Sequence, residues 1–159
     1  RIFIDPDIAI GFPAHIPVDY IPDVAERLLL YQRLVSVDDP KESLELDEEI
    51  EDRFGNPPLE MKILLELMEF RCLLRRSGIL SAKLKNKELK ISFHPEAPIS
   101  IEKITKLITR EPSVYKISPA MLFSIAIHDE IASPKQLTNL IYNVISEITV
   151  GSEKITINL

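Results

Sequence analysis

Ser77-Gly78-Ile79-Leu80-Ser81-Ala82-Lys83-Leu84-Lys85-Asn86-Lys87-Glu88-Leu89-Lys90-Ile91-Ser92-Phe93 is where the hydrophobic period of this chain changes. Before it, apolar residues recur at three- and four-residue intervals; from Ile79 on they recur at every second position. Leu80, Ala82 and Leu84, then Leu89, Ile91 and Phe93, alternate with Ser81, Lys83, Lys85, Lys90 and Ser92. That is the pattern of two half-buried strands, and Asn86-Lys87 between them reads as the hairpin turn.

Upstream, the residues predict helices. A helix over about 58–77 carries Leu59, Ile63, Leu64, Leu67, Met68, Leu73 and Leu74 around much of its circumference, with Glu60 early, Arg75 and Arg76 late, and Gly78 to end it. It is the expected central helix. Another runs from Pro40, capped by Asp39, to Phe54 and stops at Gly55, with Leu46, Ile50 and Phe54 facing the core. Its other face is acidic, through Glu42, Glu45, Asp47, Glu48, Glu49, Glu51 and Asp52. A first helix over about 22–36 starts at Pro22 and presents Val24, Leu28, Tyr31 and Val35 as one stripe, widened by Leu29, Leu30 and Leu34. Such a helix is expected to be mostly buried. Residues 2–4 and 8–12 read as short edge strands separated by Asp5-Pro6-Asp7.

Downstream, Ser100 caps a short helix with Ile101, Ile104, Leu107 and Ile108, ended by Pro112. Val114–Ser118 and Met121–His128 read as two more strands, and Ser133-Pro134-Lys135-Gln136 is a capping box opening a last helix to about 149. Two strands and a helix thus occur twice, without matching residues. The expected fold class is α+β: a helical N-terminal half of three helices, then a small mixed or antiparallel sheet with two further helices. The expected organisation is a single domain over 1–159: lead-in strands 1–15, a helical part 16–78, a strand–helix part 79–150 and a tail 151–159.

Composition excludes several functions. The 159 residues hold 19 Lys and Arg against 25 Asp and Glu, a formal charge of −6, which argues against non-specific binding to DNA or an anionic membrane. The 4 glycines are dispersed (Gly11, Gly55, Gly78, Gly151), so no glycine-rich phosphate loop can form and no cofactor is expected. The 12 prolines punctuate element boundaries. No apolar run approaches the roughly 18 residues of a membrane helix. With one cysteine, Cys72, no internal disulfide exists, and His15, His94 and His128 are too scattered for a helical metal motif. A reducing, cytoplasmic setting fits best. Beginning at Arg1 without Met, the chain reads as a piece of a longer protein.

Nothing amounts to a catalytic constellation. His128-Asp129-Glu130 lacks further ligands at metal-binding spacing and reads as the polar end of a strand. Cys72, on an apolar helix, reads as a buried small hydrophobe and not a nucleophile. Lys83, Lys85, Lys87 and Lys90 could meet nucleic acid, but lysines on an exposed strand also guard a sheet edge, and no aromatic interleaves them. The acidic helix face is denser in one sign than a solvated face requires, with Glu49 and Arg53 as an i,i+4 pair. It suits a basic surface on another domain.

Two motifs carry a resemblance: Ile16-Pro17-Val18-Asp19-Tyr20-Ile21-Pro22-Asp23 with Glu26-Arg27-Leu28 and Leu30-Tyr31, and Glu49-Ile50-Glu51-Asp52-Arg53-Phe54-Gly55 with Pro58. From about 16 to 80, ending at Ser77-Gly78-Ile79, the chain resembles the C-terminal (TRCF) domain of the bacterial transcription-repair coupling factor, Mfd. Beyond 80 the likeness rests on element order. The resemblance implies a parent that is an ATP-driven DNA translocase acting on stalled RNA polymerase and recruiting UvrA. It also implies that this domain is not an enzyme. The domain would pack on a UvrB-like N-terminal module, mask the UvrA-binding surface and restrain the motor, with Glu49, Asp52 and Arg53 at that contact. No direct nucleic acid or membrane partner is expected, the runner-up being a nucleic-acid-binding accessory domain that uses the Lys83/Lys85/Lys87/Lys90 hairpin. The apolar tail Lys154–Leu159 has no counterpart in the family.

Overall fold

The computed structural model describes residues 4–151. The chain runs β1 (Asp7–Ala9), α1 (Val24–Ser36), α2 (Pro40–Phe54), α3 (Leu59–Arg76), β2 (Ile79–Lys85), β3 (Glu88–Phe93), α4 (Ile101–Arg110), β4 (Tyr115–Ile117), β5 (Phe123–Ala126) and α5 (Pro134–Ile148). This is the expected α+β class, and the order β2-β3-α4 followed by β4-β5-α5 reproduces the twice-repeated arrangement read from the sequence.

The five strands form one sheet in the order β1-β2-β3-β5-β4. β1 runs parallel to β2, and every other pairing is antiparallel. The hairpin turns at Asn86 and Lys87, both left-handed with φ of 52° and 59°, the conformation that matches the right-handed twist of two strands joined by two residues. One sheet face carries Ala82, Leu89, Ile91, Phe123 and Ile125, all fully buried against residues of α3, α4 and α5. The other leaves Lys83, Lys85, Lys90 and Lys116 exposed.

A second core lies in the helical half. Ile16, Ile21, Leu30, Leu34, Val37, Leu46, Ile50, Met61 and Leu64 form it. α3 belongs to both cores, giving Met61 and Leu64 to the helical one and Phe70, Leu73 and Leu74 to the sheet. Over its 18 residues, roughly 27 Å, it is the central helix that its apolar girdle predicts.

Several expectations need correction. α1 begins at Val24 because the Asp23 carboxylate accepts from the Ala25 and Glu26 backbone N–H at 2.8 and 3.3 Å; an aspartate cap sets the first turn, and Pro22 stays outside. Its buried arc is Leu30 and Leu34, while Val24, Leu28, Leu29 and Val35 are 43–61% exposed. The helix is therefore not mostly buried: only one side meets α2 and α3. Of the stripe, Tyr31 alone is held, its hydroxyl accepting from the Ile16 N–H at 2.6 Å and pinning the proline-framed lead-in.

β1 spans Asp7–Ala9 and not 8–12; Gly11, with φ of 80°, turns the chain away. In the stretch read as strand 2–4, residues 2 and 3 lie outside the described residues, and Ile4 is buried but in no strand. A bulge between Ile79 and Ser81 shifts the register, so that Ile79 is buried and Leu80 faces outward. β4 and β5 are shorter than Val114–Ser118 and Met121–His128. Met121, at φ of 62°, falls in the turn between them. The tail Lys154–Leu159 lies outside the described residues.

Candidate interdomain surface

α2 is placed by its ends. Asp39 accepts from the Lys41 N–H at 2.8 Å, Pro40 occupies the first position, and Gly55 takes φ of 87° as its N–H donates to the Glu51 carbonyl. Leu46 and Ile50 then face the helical core, which fixes the directions of Glu49, Asp52 and Arg53. Phe54 is only half-buried, edge-on to Tyr20 at 6.0 Å between ring centres. The Tyr20 hydroxyl donates to the Gly55 carbonyl at 2.6 Å, joining the lead-in to the end of α2. Burial, and then the nearby Glu51, push the Tyr20 phenol up.

Glu49 and Arg53 are not isolated charges. Arg33 of α1 donates to Glu49 through both terminal nitrogens, Nη2 to Oε1 at 3.0 Å. Arg53 reaches Glu49 at 3.6 Å and Glu26 of α1 at 3.3 Å, and its guanidinium lies 4.8 Å from the Phe54 ring centre. The hydrogen bond from Arg33 holds the Glu49 carboxyl below its usual range, aided by the positive charge of Arg53. A network Glu26–Arg53–Glu49–Arg33 thus spans the seam between α1 and α2. The one-signed density read on this face is in part compensated across the seam: residues 16 and 27 positions away in sequence supply the partners. Each exposed pair is worth about 0–1 kcal/mol, so the network orients side chains more than it stabilises the fold.

Asp52 stands exposed beside this network. A cleft of about 180 Å³ opens in the same seam, lined by Arg33, Ser36, Glu42, Glu45, Leu46 and Glu49. Three carboxylates against one guanidinium make it suited to a cationic side chain. Sequence reasoning missed Glu26, Arg33 and Tyr20 as parts of this surface; the seven-residue spacing of Glu26 and Arg33, which sets both on one side of α1, was the available signal.

The remaining candidates lie elsewhere. His128, Asp129 and Glu130 are exposed, and among the described residues no group of three His, Cys, Asp or Glu could hold a metal ion. Cys72 is 3% exposed, and burial pushes its thiol up, the opposite of an activated nucleophile. A groove of about 350 Å³ between α2, α3 and α5 contains Asp47, Glu69, Cys72 and Lys135. Asp47, half-buried there, is pushed up to about 6 by burial and then by Glu69, against the pull of Lys135. Among the described residues no helix is long and apolar enough to cross a membrane.

Comparison with known proteins converges on one description. The profile described as TRCF domain matches residues 10–104. The transcription-repair-coupling factor of Myxococcus xanthus is 31% identical over 121 residues, covering 76% of this chain and 10% of that protein. That of Haemophilus influenzae is 33% identical over 117 residues, covering 74% and 10%. The chain therefore spans about a tenth of the length of these curated relatives. A crystal structure of the C-terminal domain of transcription-repair coupling factor superposes with a TM-score of 0.73 at 17% identity, over 92% of this chain and 97% of that one.

Proposed function

Because the chain belongs to the TRCF domain family, we propose that it acts as a non-catalytic regulatory domain of a transcription-repair coupling factor, packing on a UvrB-like N-terminal module and masking that module's UvrA-binding surface. By this reading it restrains the ATP-driven DNA translocase until RNA polymerase is engaged. The supporting observation is the cross-helix network, which holds Glu49 and Arg53 at fixed positions on an exposed seam, beside Asp52 and a carboxylate-lined cleft. Preorganised side chains lose little freedom on docking, so charge complementarity is expressed as affinity and register.

The parent then exists as closed and open populations whose ratio these contacts set. Truncating one partner of a desolvated interdomain ion pair costs about 2–5 kcal/mol, and each 1.4 kcal/mol changes the ratio about tenfold. Reversing charge with Glu49→Lys/Asp52→Lys in the intact parent should raise ATPase without polymerase and tighten UvrA binding. Because Glu49 also holds Arg33, Asp52→Lys alone, which disturbs no intradomain pair, should move both readouts in the same direction. Unchanged ATPase and UvrA affinity in the folded double variant would overturn the reading.

A further inference from the structure

The sheet order removes the ordinary explanation of two of the hairpin lysines, Lys83 and Lys90. Lysines on an exposed strand protect an edge, which accounts for Lys85, beyond the end of β1, but not for Lys83 and Lys90, which have a paired strand on each side. Lys83 lies between Ala9 and Lys90, Lys90 between Lys83 and Ser124, and Ser124 opposite Lys116. One cross-strand row on the open face therefore reads Ala9, Lys83, Lys90, Ser124, Lys116. Lys116 belongs to no motif in the sequence and joins the row only through the fold.

Two lysines directly opposite each other repel and weaken a sheet. Their neighbours compensate in part: Lys83 reaches Asp7 and Lys90 reaches Glu88, each at 3.4 Å and solvent-exposed. Lys85 stands opposite Glu88, whose carboxylate is taken by Lys90, and Lys116 is exposed on the edge strand. The next row places Ser81 opposite Ser92, their hydroxyls 2.6 Å apart. Phe93, Tyr115 and Phe123 alternate onto the side of the core, so the open face offers four ammonium groups, hydroxyls, the two carboxylates of Asp7 and Glu88, and no aromatic ring.

We propose that this open sheet face docks on the phosphate backbone of duplex nucleic acid, without reading sequence. With strands about 4.8 Å apart, Lys83 and Lys90 stand on neighbouring strands and Lys116 two strands beyond Lys90, and Ser81, Ser92 and Ser124 offer hydroxyl donors to phosphate oxygens. With no ring on which to stack bases, the face fits a duplex and not a single strand. The acidic surplus of the rest of the chain makes this a weak contact, felt when another part of the parent holds the duplex nearby. It is independent of the α1–α2 regulatory reading, which uses other residues.

The test is fluorescence anisotropy of the purified chain with 25-base-pair duplexes of two unrelated sequences, from about 50 to 200 mM salt. Three phosphate contacts give a slope of about −2.7 in log affinity against log salt, a loss of about 40-fold over that range. Both duplexes should bind equally. Lys83→Gln/Lys90→Gln/Lys116→Gln should weaken low-salt binding at least tenfold while melting no lower than the parent chain, since it relieves the opposed pair. Lys41→Gln/Lys62→Gln, off this face, should bind as before. Salt-independent or undetectable binding overturns the proposal, as does equal binding by the triple variant. Tighter binding to polyglutamate, or to phosphatidylserine vesicles, than to duplex would also overturn it, assigning the face to an acidic protein or a lipid surface.

Discussion

Asp47 shows how one side chain can carry a measurable cost. Its carboxyl is pushed up to about 6, chiefly by burial in the groove between α2, α3 and α5, whereas the unfolded chain titrates near about 3.9. Between those values the folded state binds more protons than the unfolded state, so this residue's contribution favours folding below about pH 4 and is lost as pH rises through about 6. Asp47→Asn should therefore stabilise the fold at pH 7 by about 1 kcal/mol after allowance for solvent screening at a half-exposed group, read as a higher melting temperature. The advantage should vanish near pH 3.5. Paired thermal melts across pH check the sign; a variant that loses stability at pH 7 would show that the charged carboxylate is needed where it stands. Glu49 behaves oppositely: its carboxyl is held down by Arg33, so its small contribution is present at neutral pH and lost on acidification.

At the scale of elements, what was legible in the sequence was what is decided locally. Asp39 with Pro40, Gly55, Ser100 and the Ser133–Gln136 capping box mark helix ends through contacts within four residues, and the structure has them where they were read. The burial of α1 was not legible, because Leu30 and Leu34 compete with Val24, Leu28 and Val35 as an apolar arc, and only packing against α2 and α3 chooses between them. The bulge at Leu80 is likewise invisible to a period of two. For the candidate surface, Glu49, Asp52 and Arg53 came from the motif they share with a family, while Arg33 and Glu26 are joined to them only in three dimensions. The hairpin turn is local again, and it is strained, since Lys87 sits at φ of 59°. Lys87→Gly should stabilise the domain by about 0.5–1 kcal/mol, read as a higher denaturant midpoint with an unchanged slope. No gain would mean that the turn relaxes without glycine.

The whole molecule is organised by α3, which holds Met61 and Leu64 in one core and Phe70, Leu73 and Leu74 in the other. Neither core can lose its packing without stripping a side of that helix. Ile50→Ala, fully within the helical core, should cost about 2–5 kcal/mol, and hydrogen exchange should report the same loss at buried amides of β3 as at those of α2. Protection retained in β3 while α2 is lost would show two independent folding units.

α3 also has a mechanical meaning. Between Leu59 and Arg76 it contains neither proline nor glycine, the residues at which helices bend, so it acts as a strut between the α1–α2 seam and the sheet. A displacement of the seam is therefore expected to carry the sheet with it. A partner that grips the seam would then also set the direction in which the lysine row points.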